Sequence, residues 1–170
     1  AFPDTEKNWK KNAIETIEEL LKKNRNFILV SSSPYPTSHV IAQYIKNKYN
    51  VKWVADFRDP WSQNHNYKMF FFRKFIDGIY EKKIIRNANL ITTPSEGFKK
   101  KLLKLHKKDV VVIPNGHLKI NSSFKVKKNK KIFNIVYTGR FYEEKQNIMP
   151  FLNGLKLLRD KEPKIFKEIK

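Results

Sequence analysis

Apolar and polar positions along this chain alternate between a helical period and short continuous apolar runs. From Asp4, with Pro3 before it, Trp9, Ala13, Ile17, Leu20 and Leu21 recur at three- and four-residue spacing, which predicts a helix capped by Asp4 and ending near Asn24. Phe27 to Val30 is a continuous apolar run that breaks into Ser31-Ser32-Ser33-Pro34-Tyr35-Pro36, the pattern of a buried strand running into a loop. Thr37 or Ser38 then caps a second helix with Val40, Ile41, Tyr44 and Ile45 on its apolar face, and Val51 to Ala55 forms the next strand. A third helix is predicted from about Met69 to Arg86, with Phe72, Phe75, Ile76, Ile79, Tyr80 and Ile84 on one buried face. Leu90 to Thr92 is a strand, Ser95 caps a helix carrying Phe98, Leu102, Leu103 and Leu105, and Val110 to Ile113 is a further strand ending at Pro114-Asn115-Gly116.

Buried strands separated by helices imply right-handed crossovers and a Rossmann-like α/β domain, a parallel sheet with helices on both faces, over residues 1–117. Residues 118–131 are polar, lysine-rich and without periodicity, so they read as a linker. Beyond them Phe133 to Tyr137 reads as a strand, Thr138-Gly139-Arg140 as its exit and Ile148 to Leu158 as a helix. Residues 132–170 thus open a second Rossmann-like domain with its first strand-helix unit. The absence of an initial methionine and the unterminated pattern at Lys170 read as an internal piece of a longer protein.

Composition narrows the chemistry. The chain lacks cysteine, which removes a disulfide framework and thiol catalysis, and its apolar runs are too short for a membrane span. Histidines at 39, 65, 106 and 117 show no ligand spacing, so no metal site is expected. Its five glycines form neither a dinucleotide-binding fingerprint nor a P-loop, and no serine lies in a nucleophile elbow. With 36 Lys plus Arg against 16 Asp plus Glu, the net charge of +20 favours polyanions of some kind. A basic stripe or a recognition motif is missing, so no nucleic-acid partner is expected, although a basic nucleic-acid module remains the rival class. Met69 to Phe75 mixes aromatics with cations at the start of a helix, as interfacial segments do, and makes an anionic membrane surface a candidate partner.

Ligands of open parallel sheets bind beyond the carboxyl ends of the strands, which directs attention to the exit loops. The most loaded is Asp56-Phe57-Arg58-Asp59-Pro60-Trp61, whose carboxylates, guanidinium and indole could hold sugar hydroxyls and stack a ring. The same residues could equally form a local structural knot, with Arg58 bridging the carboxylates and Trp61 in the core. Gly139 and Arg140 at a strand exit, with Lys145 following, could clamp a diphosphate or simply be solvated beside Glu143 and Glu144.

Taken in order, FPDTEKNW (2–9), SSSPYPTSHVIA (31–42), WVADFRDPW (53–61), ANLITTPSEG (88–97), VIPNGH (112–117) and IVYTGRFYEEK (135–145) resemble the glycosyltransferase family 4 enzymes of the GT-B fold. The resemblance spans nearly the whole chain and overrides the structural-knot and solvated-surface readings of the isolated loops. It implies two Rossmann-like domains facing across a cleft, the first binding acceptor and the second the nucleotide-sugar. By resemblance Gly139, Arg140 and Lys145 hold the donor diphosphate. Asp56, Arg58, Asp59, Trp61 and Ser33 line the acceptor side, and Asn115 and Gly116 form the interdomain hinge. Arg58 departs from the family, many members of which carry a histidine near this position. The family's glycine-rich loop and paired-glutamate motif fall outside residues 1–170, so these residues alone are expected to be inactive. Implied too are a retaining hexosyl transfer without metal or cofactor, the nucleotide-sugar being a substrate, and a glycan or lipid-linked acceptor used in polysaccharide synthesis. The expected location is cytoplasmic, peripheral on the inner membrane face. An inactive GT-B-like scaffold is the remaining rival.

Overall fold

The computed structural model describes residues 2–24, 26–64, 70–118, 132–139, 141 and 146–170, and the chain divides into two compact units, residues 1–117 and 118–170. In the first, a single-turn 3-10 helix at Lys7–Trp9 leads into α1 (Lys10–Lys23). There follow β1 (Ile28–Ser32), α2 (Pro36–Tyr49), β2 (Lys52–Asp56), α3 (Phe71–Ile85), β3 (Leu90–Thr93), α4 (Glu96–His106) and β4 (Val110–Val112). The predicted alternation therefore forms, and the four strands make one parallel sheet in the order β1-β2-β3-β4. Met69, expected to start the third helix, lies outside the described residues.

That strand order is monotonic, and right-handed crossovers along it put every connecting helix on the same face. The helices accordingly neighbour one another in a row from α1 to α4. Trp53, Ala55, Phe57, Ile91 and Val110 project from the sheet into the core beneath them, with Val40, Ala42, Ile84, Ile85 and Leu102 from the helices and Trp61 from the loop after β2. Alternate residues point the other way, and there Ile28, Val30 and Val111 are exposed. Among the described residues the expected Rossmann-like class is met by a four-stranded parallel sheet flanked by helices, with α1 to α4 in one row. A smaller cluster, Leu21, Ile45 and Val51 with Ile14, Ile17 and Phe27 against it, fastens α1 to α2 and to the start of β2.

Caps follow the sequence in part. Ser95 Oγ accepts from Phe98 N at 3.3 Å and starts α4 as predicted. Asp4 serves a different helix from the one expected. Its carboxylate accepts from Thr37 N at 2.6 Å and Thr37 Oγ1 at 2.9 Å, and also from Glu6 N at 2.8 Å, so it caps α2 from a distance while Pro36 supplies the first helical position. Thr37 and Ser38 lie inside that helix instead of capping it.

The larger departure is α3, whose first three turns are rotated outward. Phe72, Phe75, Ile76 and Ile79, expected in the core, are all exposed, while Asp77 and Glu81 face inward at 1 % exposure each. The acids hold this orientation. Glu81 accepts from Ser62 N at 2.9 Å and from His106 Nε2 at 3.0 Å, and Asp77 pairs with Arg73 Nε at 2.8 Å. Arg73 also donates to Pro3 O at 2.8 Å, which ties the amino-terminal segment to α3. Only Ile84 and Ile85 of the later turns join the core, with Tyr80 packed at its edge.

His39, on α2, is fully buried. Trp53 Nε1 donates to Ser31 Oγ at 2.8 Å, Ser31 Oγ lies 2.7 Å from His39 Nδ1, and the imidazole stacks on Phe57 at 4.8 Å between centroids. Burial pushes its pKa down to about 3, a shift that the nearby Asp56 charge offsets in part. An unfolded histidine titrates near 6.5, so the stability held by neutral His39 is complete above that pH and is lost as pH falls toward 3. Between pH 7 and pH 5 the loss should reach about 2 kcal/mol. Denaturant titrations of wild type and His39→Gln at both values check this. The wild type should lose more stability than the variant by that margin, and parallel losses would refute the assignment.

In the second unit α5 (Met149–Lys161) and α6 (Pro163–Phe166) form, but the strand expected over residues 133–137 reduces to a parallel bridge between Phe133 and Ile169. Phe133 N donates to Glu168 O at 2.6 Å, Lys170 N to Phe133 O at 3.0 Å, and Ile135 N to Lys170 O at 3.0 Å. Residues 136–139 have no such partner strand among the described residues, so the ladder does not extend. Of the expected linker, residues 119–131 lie outside the described residues.

Candidate functional site

At the carboxyl end of the sheet the parallel register aligns Ser32, Asp56 and Thr92 across three strands. Asp56 occupies the middle. Ser32 Oγ donates to its Oδ2 at 2.8 Å and Thr92 Oγ1 to its Oδ1 at 2.7 Å, so both hydroxyl protons are committed to the carboxylate and each hydroxyl oxygen keeps acceptor capacity. The result is a polar ledge, half-buried, on the face away from the helices. Arg58 lies beside it, its Nε 4.0 Å from Asp56 Oδ2 and one terminal nitrogen 3.5 Å from Ile113 O, both at the limit of useful contact.

The other residues expected on the acceptor side divide. Asp59 is exposed, and among the described residues no ion pair joins it to Arg58, so the guanidinium does not bridge the two carboxylates. Ser33 is only 5 % exposed and clamps the loop backbone, its Oγ donating to Asp59 O at 2.9 Å and accepting from Asp59 N at 3.1 Å. Trp61 is 4 % exposed. Its indole is buried against Tyr80 in an edge-on contact at 5.8 Å, because the loop turns back under α3 after Pro60. Ser33 and Trp61 thus hold the loop in place, while Asp56, Arg58 and Asp59 present the polar groups.

Asn115 and Gly116 are exposed and follow β4, just before the division between the two units. Gly139 is exposed in the second unit, where the ring of Tyr137 covers it. A Cβ there would meet the Tyr137 hydroxyl at 2.9 Å, so the glycine makes room for a tyrosine that stacks on Phe141 at 4.2 Å. Arg140 and Lys145 lie outside the described residues, as do Glu143 and Glu144. Among the described residues no group of three or more His, Asp or Glu side chains is placed to hold a metal ion, and no helix is long and apolar enough to cross a membrane.

Two features carried no sequence signal that single-residue reading could use. The Ser32-Asp56-Thr92 alignment depends on register across three strands. The buried side chains of His39, Glu81 and His106 come from three helices, and no spacing along any one helix marks the other two.

A parallel α/β sheet with its polar loops gathered at the strand ends defines a Rossmann-like domain, whose ligand side is that edge. The profile of Glycosyltransferase Family 4 matches residues 2–117, and the chain belongs to that family. The match places it among the glycosyltransferases and gives it sugar donors and acceptors as substrates in general terms. Among curated individual proteins none matches the chain.

Proposed function

We propose that the complete protein moves a hexose from a nucleoside diphosphate sugar to a glycan or lipid-linked acceptor during cell-surface polysaccharide synthesis, through a two-domain GT-B arrangement and with retention at the anomeric carbon. The observation that carries this reading is the family match over a domain whose strand-end ledge sets Arg58 beside Asp56, with Asp59 exposed on the same loop. Carboxylates and hydroxyls of that kind suit an acceptor rich in hydroxyl groups, which needs several directional hydrogen bonds to be fixed in orientation. In this reading Asn115 and Gly116 are the interdomain hinge, and Gly139, Arg140 and Lys145 hold the donor diphosphate. The nucleotide-sugar is a substrate, no metal or resident cofactor is assigned, and nucleic acid is not a partner. The reaction would run in the cytoplasm, with the protein peripheral on the inner membrane face.

Two substitutions separate binding from architecture on the ledge. Asp59→Ala removes an exposed carboxylate and should raise the acceptor KM about ten-fold while leaving the thermal midpoint unchanged. Asp56→Ala strips two hydroxyls of their shared acceptor and should also cost about 1–3 kcal/mol of stability. Acceptor kinetics and denaturant titration measure both. An unchanged acceptor KM in Asp59→Ala would remove this edge from the acceptor site.

A further inference from the structure

We infer that the outward face of α3 is a docking surface for an anionic lipid bilayer. The inference rests on the proposed membrane-side location and not on the sugar chemistry. Its first support is the rotation of the helix: Phe72, Phe75, Ile76 and Ile79, spaced as one stripe, point away from the core. Its second is the amino-terminal end, where Phe70, Phe71 and Phe72 are 89 %, 80 % and 79 % exposed. Phe70 lies at the cap, outside the helix, and the rings of Phe71 and Phe72 meet edge-on at 6.1 Å between centroids, so the three rings form one exposed aromatic end to the stripe. Aromatic rings clustered at the end of a helix whose exposed face is otherwise apolar and cationic suit a fluid apolar interface.

Charge selects the kind of bilayer. Lys74, Lys82, Lys83 and Arg86 are exposed on the same helix or at its end, and Asp77 and Glu81, the only acids of α3, are buried. The exposed surface of α3 therefore carries apolar and cationic groups without a single carboxylate, as an interfacial helix on anionic lipid does. A second copy of this chain docked symmetrically there would set the same cations against each other, and the overall charge of +20 adds to that repulsion.

The test is co-sedimentation of the complete protein with vesicles of phosphatidylglycerol and phosphatidylcholine in equal parts, and with phosphatidylcholine alone. Wild type should partition onto the anionic vesicles and much less onto the neutral ones. The triple variant Phe71→Ser, Phe72→Ser, Phe75→Ser should lose at least about thirty-fold in partition, because three rings no longer enter the interface. Lys82→Glu with Lys83→Glu should lose more than about ten-fold. Thermal midpoint and sedimentation velocity accompany each variant, and neither should change in the triple variant, whose rings are solvent-exposed. Absence of wild-type binding, equal recovery with both vesicles, or unchanged partition in the triple variant would overturn the proposal. So would a fall in midpoint or a change of oligomeric state on removing the rings, since either would mean that protein covers them. The assay contains no sugar donor, so its failure leaves the sugar-transfer reading untouched, and a failed transfer assay leaves this surface untouched.

Discussion

Alanine at Arg140 or at Lys145 is expected to lower kcat/KM for the sugar donor by about 30- to 1000-fold in the complete protein, a loss of roughly 2–4 kcal/mol in transition-state stabilisation. A nucleoside diphosphate gains negative charge as its bond to the sugar breaks. Cations at the phosphates therefore act more strongly on the transition state than on the bound donor. Arginine offers a planar fork of donors and lysine a compact charge, so Arg140→Lys should restore only part of the activity. The reading rests on the family resemblance of IVYTGRFYEEK. The structure bears on it at one point: Gly139 is exposed, and a side chain at that position would collide with the ring of Tyr137. Donor kinetics of the two alanine variants, with thermal unfolding as the folding control, give the answer. Near wild-type values in both would return this loop to ordinary solvated surface.

The second large effect concerns stability. Glu81→Ala should cost about 3–5 kcal/mol, because it leaves His106 and the Ser62 amide without their partner inside the protein. Glu81→Gln keeps one oxygen acceptor for Ser62 N and should cost less. Equilibrium denaturation with an unchanged slope measures both, and a loss below about 1 kcal/mol in Glu81→Ala would show that water already serves these groups.

Glu81 marks the limit of what was legible in the sequence. The alternation of elements in residues 1–117 was plain, because buried parallel strands read as continuous runs such as Phe27 to Val30 and Val110 to Ile113, and helices carry their own period. The orientation of α3 was not, since periodicity places apolar residues on one face without saying which way that face points. Tertiary partners decide it, here Ser62 and His106 drawing Glu81 inward. The cap role of Asp4 failed for a related reason: a carboxylate can cap the nearest helix in sequence or the nearest in space, and Thr37 lies 33 residues away. Of the candidate site, Asp56, Arg58 and Asp59 were identifiable from one loaded exit loop. The roles of Ser33 and Trp61 as supports became visible only through burial and loop geometry.

The most direct test of the central claim is acceptor-dependent release of nucleoside diphosphate from a panel of nucleoside diphosphate sugars, incubated with the complete protein and a glycan or lipid-linked acceptor. The account predicts that one donor is consumed, that its sugar appears on the acceptor in equal amount, and that Asp59→Ala raises the acceptor concentration needed for half-maximal rate. Failure to bind or consume any donor, by a folded protein that passes its unfolding control, would contradict it and leave an inactive scaffold with this family's fold.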